Sequence, residues 1–348
     1  MPAVSAWRWS AMVATLAAVA GLMPGLAFAG GRGDIGNAGG SEQTDPAAPQ
    51  DTSISASAGV QYDKSKNGTS GTGSSVGSLT PTGDWTPPAC WYQPTYTPAQ
   101  MKASSETVWA EDSPSQEWKN GQRDYFVNGK PYTNFNLDKA GQGYFWSGYS
   151  PKENSNLPDA SSCDDEPFWV DKGKPAPAGH KNAVTPEVLA ELAYEQILIP
   201  QGEAKTNPET TQTVNLPTWV WMDATTFHPV SVTAYLPDYG ISATTTATPV
   251  GIHIDPGAPA SDATLFPADG NCKNLGTAYT AGAEGDPPCG VTYLRSTAGA
   301  GHPYQLTATV TWKISWTGTG QPTPVDLPDG TFGAPQDVTV QEIQTINR

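Results

Sequence analysis

A mainly β fold with a smaller α+β part, closing in a C-terminal β-sandwich, is what three features of these 348 residues predict. The stretch "YQLTATVTWKISW" at 304–316 alternates apolar and polar residues without a break, the period of a strand with one dry face. Glycine (36) and proline (33) are abundant and charged residues make up only 15%, which suits turn-rich β structure better than helix. Beyond Val214, runs of strand character recur at short intervals, most of them divided by Gly, Pro or Asp.

The N-terminus predicts the compartment. Arg8 precedes an apolar run from Ala11 to Ala29 that closes on Ala27-Phe28-Ala29, the small-x-small spelling of a signal peptidase site. Residues 1–29 are therefore expected to be a signal peptide, and the chain to be secreted or held at the cell envelope. If left uncleaved, this run would be its membrane attachment, since no later stretch is apolar enough to cross a bilayer. Residues 30–83, rich in Gly, Ser, Thr, Asp and Asn, are expected to form a disordered tail. Two short spellings within it are read as chance. Arg32-Gly33-Asp34 lies in a glycine-rich run, and Gly73-Ser74-Ser75-Val76-Gly77 lacks the strand and helix that a nucleophile elbow requires.

Ordered structure is expected from about residue 84. Thr97-Pro98 is a cap and first-turn pair, predicting a helix from Pro98 to Ala110. Val127-Asn128-Gly129-Lys130 reads as a hairpin turn with a short strand on either side, and Phe168-Trp169-Val170 as a further strand. Residues 84–175 thus form a small α+β domain. Within the connector 176–213, Thr185 caps, Pro186 opens, and Val188, Leu189, Leu192, Ala193 and Ile197 make one apolar stripe. This predicts a helix over 185–199, ended by Pro200 and lying on a sheet.

Residues 214–348 are read as the sandwich, and seven strands over this length suit an immunoglobulin-like fold. The strand runs are "VNLPTWVWMD", "PVSVTAYL", "GISATTTA", "VGIHID", "CGVTYLR", the 304–316 stretch and "DVTVQEIQTI". Alternation places Trp219, Trp221, Tyr304, Leu306, Val310, Trp312, Ile314 and Trp316 in its core, with the threonine-rich face in water. Between Asp255 and Pro288 a long loop is expected. Cys90, Cys163, Cys272 and Cys289 all follow the signal, and an even count in an oxidising compartment predicts two disulfides. Chain order favours Cys90 with Cys163 and Cys272 with Cys289. A free pair or a metal site is the alternative, though no C-x-x-C spacing points to metal.

The run "CGVTYLRSTAGAGHPYQLTATVTWKISW" resembles the closing strands of PKD-type (polycystic-kidney-disease repeat) immunoglobulin-like domains. Thr292-Tyr293 and Tyr304, Thr307 and Thr309-Val310 stand where that pattern has Thr-Tyr and Tyr-x-(Leu/Val)-Thr-x-Thr-Val. Of the family's Trp-Asp-Phe-Gly-Asp-Gly loop, Asp255 and Gly257 are retained at "IHIDPGAP". Over about residues 90–348 the chain is also similar to a group of secreted actinobacterial proteins that combine a cysteine-bearing segment, a helix, "VNLPTWVW", a PKD-like module and a "VQEIQTIN" ending. The resemblance implies a spacer or interaction module outside the cytoplasm.

Chemistry-bearing residues are sparse. A formal charge of −16 with no basic cluster argues against nucleic acid. His180 lies in a linker, His228 after "TTF", His302 in a turn, and His253 two residues from Asp255, so that pair shares a strand face and could orient a base or hold a metal. The run Asp164-Asp165-Glu166 could converge on a hard cation, but it lacks alternating spacing. Glu187, Glu191, Asp223 and Asp238 are conceivable glycosidase carboxylates with no spacing to select a pair. A non-catalytic protein with no cofactor and no metal is the expectation. The candidate binding surface is Tyr125, Phe126, Tyr132, Tyr144, Trp146 and Tyr149. Its partner is expected to be a protein or a cell-wall polysaccharide.

Overall fold

The computed structural model describes residues 58–69 and 75–343. The expected signal peptide and the Arg32-Gly33-Asp34 triplet lie outside the described residues. In chain order the strands and helices are β1 (Gln61–Asp63), β2 (Ser75–Ser78), β3 (Thr80–Pro81), β4 (Trp91–Tyr96), α1 (Pro98–Ala110), α2 (Gln116–Phe126), β5 (Gly143–Tyr149), β6 (Phe168–Asp171) and α3 (Pro186–Glu195). There follow β7 (Leu198–Gln201), β8 (Lys205–Asn207), β9 (Thr211–Thr213), β10 (Pro217–Trp221), β11 (Val230–Leu236), β12 (Ile241–Asp255) and β13 (Ala263–Phe266). The chain ends in β14 (Asn271–Lys273), β15 (Gly290–Tyr293), β16 (Tyr304–Gly318) and β17 (Gln321–Gln341). The fold is mainly β.

Its spine is a curled sheet in the order β1-β11-β12-β16-β17-β3, with β14 added beside β12 and β9 beside β17. The central strands are long, 15 residues for β12, 15 for β16 and 21 for β17. "GISATTTA" and "VGIHID", expected as two strands, are one, bulged between Pro249 and Gly251. The physical reason is a change of neighbour: β11 pairs with β12 only as far as Ala247, and β14 takes over at Gly251. Pro249, with no N–H to donate, falls in the gap between them. Two strands also form inside the 255–288 stretch, where a loop was expected: β13 pairs with β15, and β14 with β12.

Along β16, Tyr304, Leu306, Ala308, Val310, Trp312, Ile314 and Trp316 are all buried on one face. That face is covered from two sides. α3 lies against β11, β12 and β16 at one end. Here the buried Thr245 breaks the apolar pattern and is satisfied by donating to the Ala190 carbonyl at 2.7 Å. At the other end a four-stranded sheet, β13-β15-β10-β8, closes over it, with Tyr293 stacked on Tyr304 at 5.3 Å. Gly330, directly opposite Trp312, keeps room for the α3 residue Tyr194, whose hydroxyl would stand 3.0 Å from any added Cβ.

Several expectations are corrected. Trp219 and Trp221 are not core residues. Thr218, Val220 and Met222 face the interior, and the tryptophans of β10 are half-buried on the outer side. Parts of the expected disordered tail are strands: β1 pairs with β11 and β2 with β7, while Ala58 and Val60 are buried. Edge pairing satisfies their backbone where side chains offer little apolar area. The helix expected over 185–199 stops at Glu195. Pro200 does not terminate it; it sits in β7, a two-stranded edge pairing where a missing N–H is tolerated.

The hairpin at 127–130 is flanked by no strands. α2 runs into it, capped by the Ser115 side chain, and only an isolated bridge joins Asn128 to Thr133. Thr97 caps α1 in a full capping box with Gln100. The β4-β5-β6 sheet, α1 and α2 enclose a satellite core of Tyr96, Met101, Phe126, Phe135, Phe145 and Trp169. Both disulfides form, Cys90–Cys163 and Cys272–Cys289. They point to an oxidising setting. Among the described residues no helix is long and apolar enough to cross a membrane.

Candidate functional site

Of the six aromatic residues singled out in the sequence, Tyr125, Tyr132, Tyr144 and Tyr149 are half-buried and two are not at the surface. Phe126 and Trp146 are buried, a correction with a clear cause: a small unit with few aliphatic residues fills its interior with aromatic rings. Trp146 donates its indole N–H to Tyr239 at 2.9 Å, and Tyr239 donates on to the Val170 carbonyl at 3.0 Å. The half-buried Tyr132 accepts the Trp169 backbone N–H at 2.8 Å and meets Tyr125 edge-on at 5.3 Å. Tyr144 donates to Asp238 at 2.8 Å, and Lys172 both pairs with that carboxylate at 3.1 Å and lies over the Tyr144 ring. Tyr149 turns to Trp91 at 5.1 Å. Each ring is thus committed to a local partner.

The outer face of the four-stranded sheet is where aromatic area reaches solvent instead. Register sets Phe266, Gly290, Trp219 and Asn207 in one row across β13, β15, β10 and β8, and Trp221 beside Lys205 in the next. Trp219 meets Tyr279 at 5.7 Å, edge to face. Tyr279 belongs to the Cys272–Cys289 loop, which also bridges to Trp221 through Gly276. Lys205 pairs with Asp223 at 3.0 Å. The Asp223 carboxyl is lowered to about 2, chiefly by the Thr225 side chain, then by its backbone N–H and by Lys205. Conventional reading of aromatics as core missed this face. The available signal was the equally alternating Thr218, Val220, Met222 set, smaller but free of ring N–H groups that need partners.

The histidines scatter. His180 bonds Asp165 at 2.7 Å and stacks flat on Phe168 at 3.5 Å. His253 turns to Asn271 at 3.0 Å, not to Asp255, which accepts the Gly257 N–H at 2.9 Å. His228 and His302 hydrogen-bond the carbonyls of Pro229 and Pro303. Asp164, Asp165 and Glu166 diverge: Asp165 goes to His180, while Glu166 turns inward to Gln122. Among the described residues no group of three or more His, Cys, Asp or Glu is placed to hold a metal. Ser75 opens β2 and donates to Gln201 at 3.2 Å, with no helix after it. An open cleft of ≈ 660 Å³ lies between the 296–303 turn and the end of β17, with His302 and Glu342 on its walls.

Burial raises the carboxyls of Glu166, Glu191 and Glu195 above the ordinary range. Desolvation is the largest cause in each case, helped by Glu187 beside Glu191 and by Glu153 beside Glu195. No family model, curated protein or solved structure matches the chain.

Proposed function

We propose that this chain is a non-catalytic structural or protein-interaction component of the cell surface or of an assembly there. The observation that carries the reading is the ladder of β12, β16 and β17, strands of 15, 15 and 21 residues paired along most of their length. Such a ladder transmits load through many backbone hydrogen bonds and suits a spacer. The divergent PKD-type, immunoglobulin-like pattern at Thr292-Tyr293 and Tyr304–Val310 supports the same role, as does an actinobacterial secreted origin for the group that shares it. Native fractionation of a producing cell tests this. The chain is expected with the envelope, in a species well above the mass of a single chain, which is at most 36.6 kDa. Recovery as a free monomer in the medium would overturn it.

A second reading, carbohydrate binding, is favoured by the outward Trp219 and Trp221 with Tyr279 at their edge. Aromatic faces stack on sugar rings while neighbouring polar groups take hydroxyls, and Asn207 and Lys205 stand in those rows. The double change Trp219→Ala, Trp221→Ala is expected to lower retention on insoluble cell-wall glycan at least tenfold, with soluble oligosaccharide competing the native protein away. Equal retention of native and changed protein would remove this reading.

A further inference from the structure

Gln122 and Glu166 meet where α2 lies against the segment entering β6. Gln122, 5% exposed, donates its Nε2–H to Glu166 Oε1 at 2.8 Å. The remaining oxygens of the two groups, Gln122 Oε1 and Glu166 Oε2, are both buried and both lack a partner. An ionised carboxylate only accepts, so ionising Glu166 leaves two orphan acceptors on the two groups that this bond joins. Turning the Gln122 amide over merely exchanges one orphan for another. A single proton on Oε2 satisfies both atoms at once, because a carboxylic acid facing a primary amide closes a ring of two hydrogen bonds.

We propose that Glu166 is a neutral carboxylic acid in the folded chain, its Oε2–H donated to Gln122 Oε1, and that this acid–amide pair is a pH-sensitive latch holding α2 in place. What it holds is substantial: α2 ends in Phe126, at the centre of the satellite aromatic core. The surrounding charges offer no substitute for the proton. Lys119, one turn earlier on the same buried face, gives its ammonium to the Glu111 carbonyl. Arg123 lies over the Trp109 ring, and Asp165 is engaged by His180. Asp164 is exposed. Tyr125, whose hydroxyl burial holds well above its usual value, meets Tyr132 and feels both Glu166 and Asp165.

Burial, the largest influence on the Glu166 carboxyl, raises it above its unfolded value, and the Gln122 bond opposes this. A raised carboxyl contributes stability that is fully present below the unfolded value and is lost as pH rises through the folded one. The latch is therefore closed in acid and strained open toward neutral and alkaline pH. Glu191 and Glu195 carry the same sign, so only a comparison between variants isolates Glu166.

Glu166→Gln in the full chain replaces the O–H with an N–H and keeps the two-bond ring at every pH. Urea unfolding is expected to give equal midpoints at about pH 4. By about pH 8 the native chain's unfolding constant should exceed the variant's at least tenfold. Infrared difference spectra at about pH 6 should show a protonated-acid carbonyl stretch in the native chain that the variant lacks. A stability difference constant with pH, or no acid carbonyl, would overturn the proposal. So would a native-chain midpoint that rises on adding calcium chloride while the variant's does not, which places a cation where the proton is assigned. Should the variant not accumulate, hydrogen exchange on the native chain decides. After correction for intrinsic rates, α2 amides should open faster toward pH 8, and unchanged protection would count against the latch.

Discussion

Replacing Trp312 with alanine is expected to destabilise the chain by about 3–5 kcal/mol, the range for removing a large buried aromatic, read as a fall in the urea midpoint with unchanged slope. Trp312 is fully buried on β16, tilted against Phe227 at 6.5 Å and directly across from Gly330. Glycine there cannot extend to fill the void, so the cavity should persist. A second change sharpens the test. The Trp312 indole N–H is buried without a partner, already an unfavourable arrangement. Trp312→Phe removes that donor along with some volume, and should therefore cost less than half of what alanine costs. Equal losses for the two variants would mean that the N–H is satisfied in solution and that lost packing is not the larger cost.

Removing the Cys90–Cys163 bridge by a double change to alanine is expected to cost about 4 kcal/mol, against about 3 kcal/mol for Cys272–Cys289. The difference follows from loop closure in the unfolded chain, since the sequence separations are 73 and 17 residues. The longer bridge joins the start of β4 to the segment leading into β6, across the unit that encloses the satellite core. Thermal or urea unfolding of the two double variants checks the order. If the shorter bridge proved the more costly, its value would lie in folded-state contacts, with Tyr279 on Trp219 and Gly276 at Trp221 the first to inspect.

Legibility varied with the kind of signal. Cap chemistry is local, and Thr97-Pro98 and Thr185-Pro186 mark helix starts that the structure places at the same residues. α2 escaped notice because its buried face is Lys119, Gln122 and Phe126, two polar side chains and one ring, so no apolar stripe exists to be read. Its N-cap, Ser115, with Glu117 in the first turn and Arg123 in the last, was the available sign. The end of α3 was misread because Pro200 punctuates a strand as readily as a helix. The inverted β10 has a related cause. Period two fixes that Trp219 and Trp221 share a face, but not which face points inward, and ring size is a poor guide when Val220 and Met222 compete for the same interior.

The candidate site was less legible than the fold. Glu166 stands in an acidic triplet that looks like a solvated or cation-binding cluster, yet Asp164 stays exposed, Asp165 goes to His180 and Glu166 turns inward to Gln122. Only the approach of α2 across 44 residues of sequence buries one of them against an amide. Aromatic density in the sequence likewise marks residues whose rings hold the small unit together, while the outward tryptophans stand on a strand whose alternation reads as core.

By itself the sequence determined the strand-rich character, the one-sided alternation along 304–316, the starts of two helices and an even set of cysteines. These are properties of periodicity, local capping and composition, which act within a few residues. Tertiary structure alone decided which face of β10 is dry, where β12 changes partner, how the tail segments become edge strands and which carboxyl loses its water. Each of those depends on what lies across the interface from a residue, and the free energy of burial is set by that neighbour, not by the residue's place in the chain.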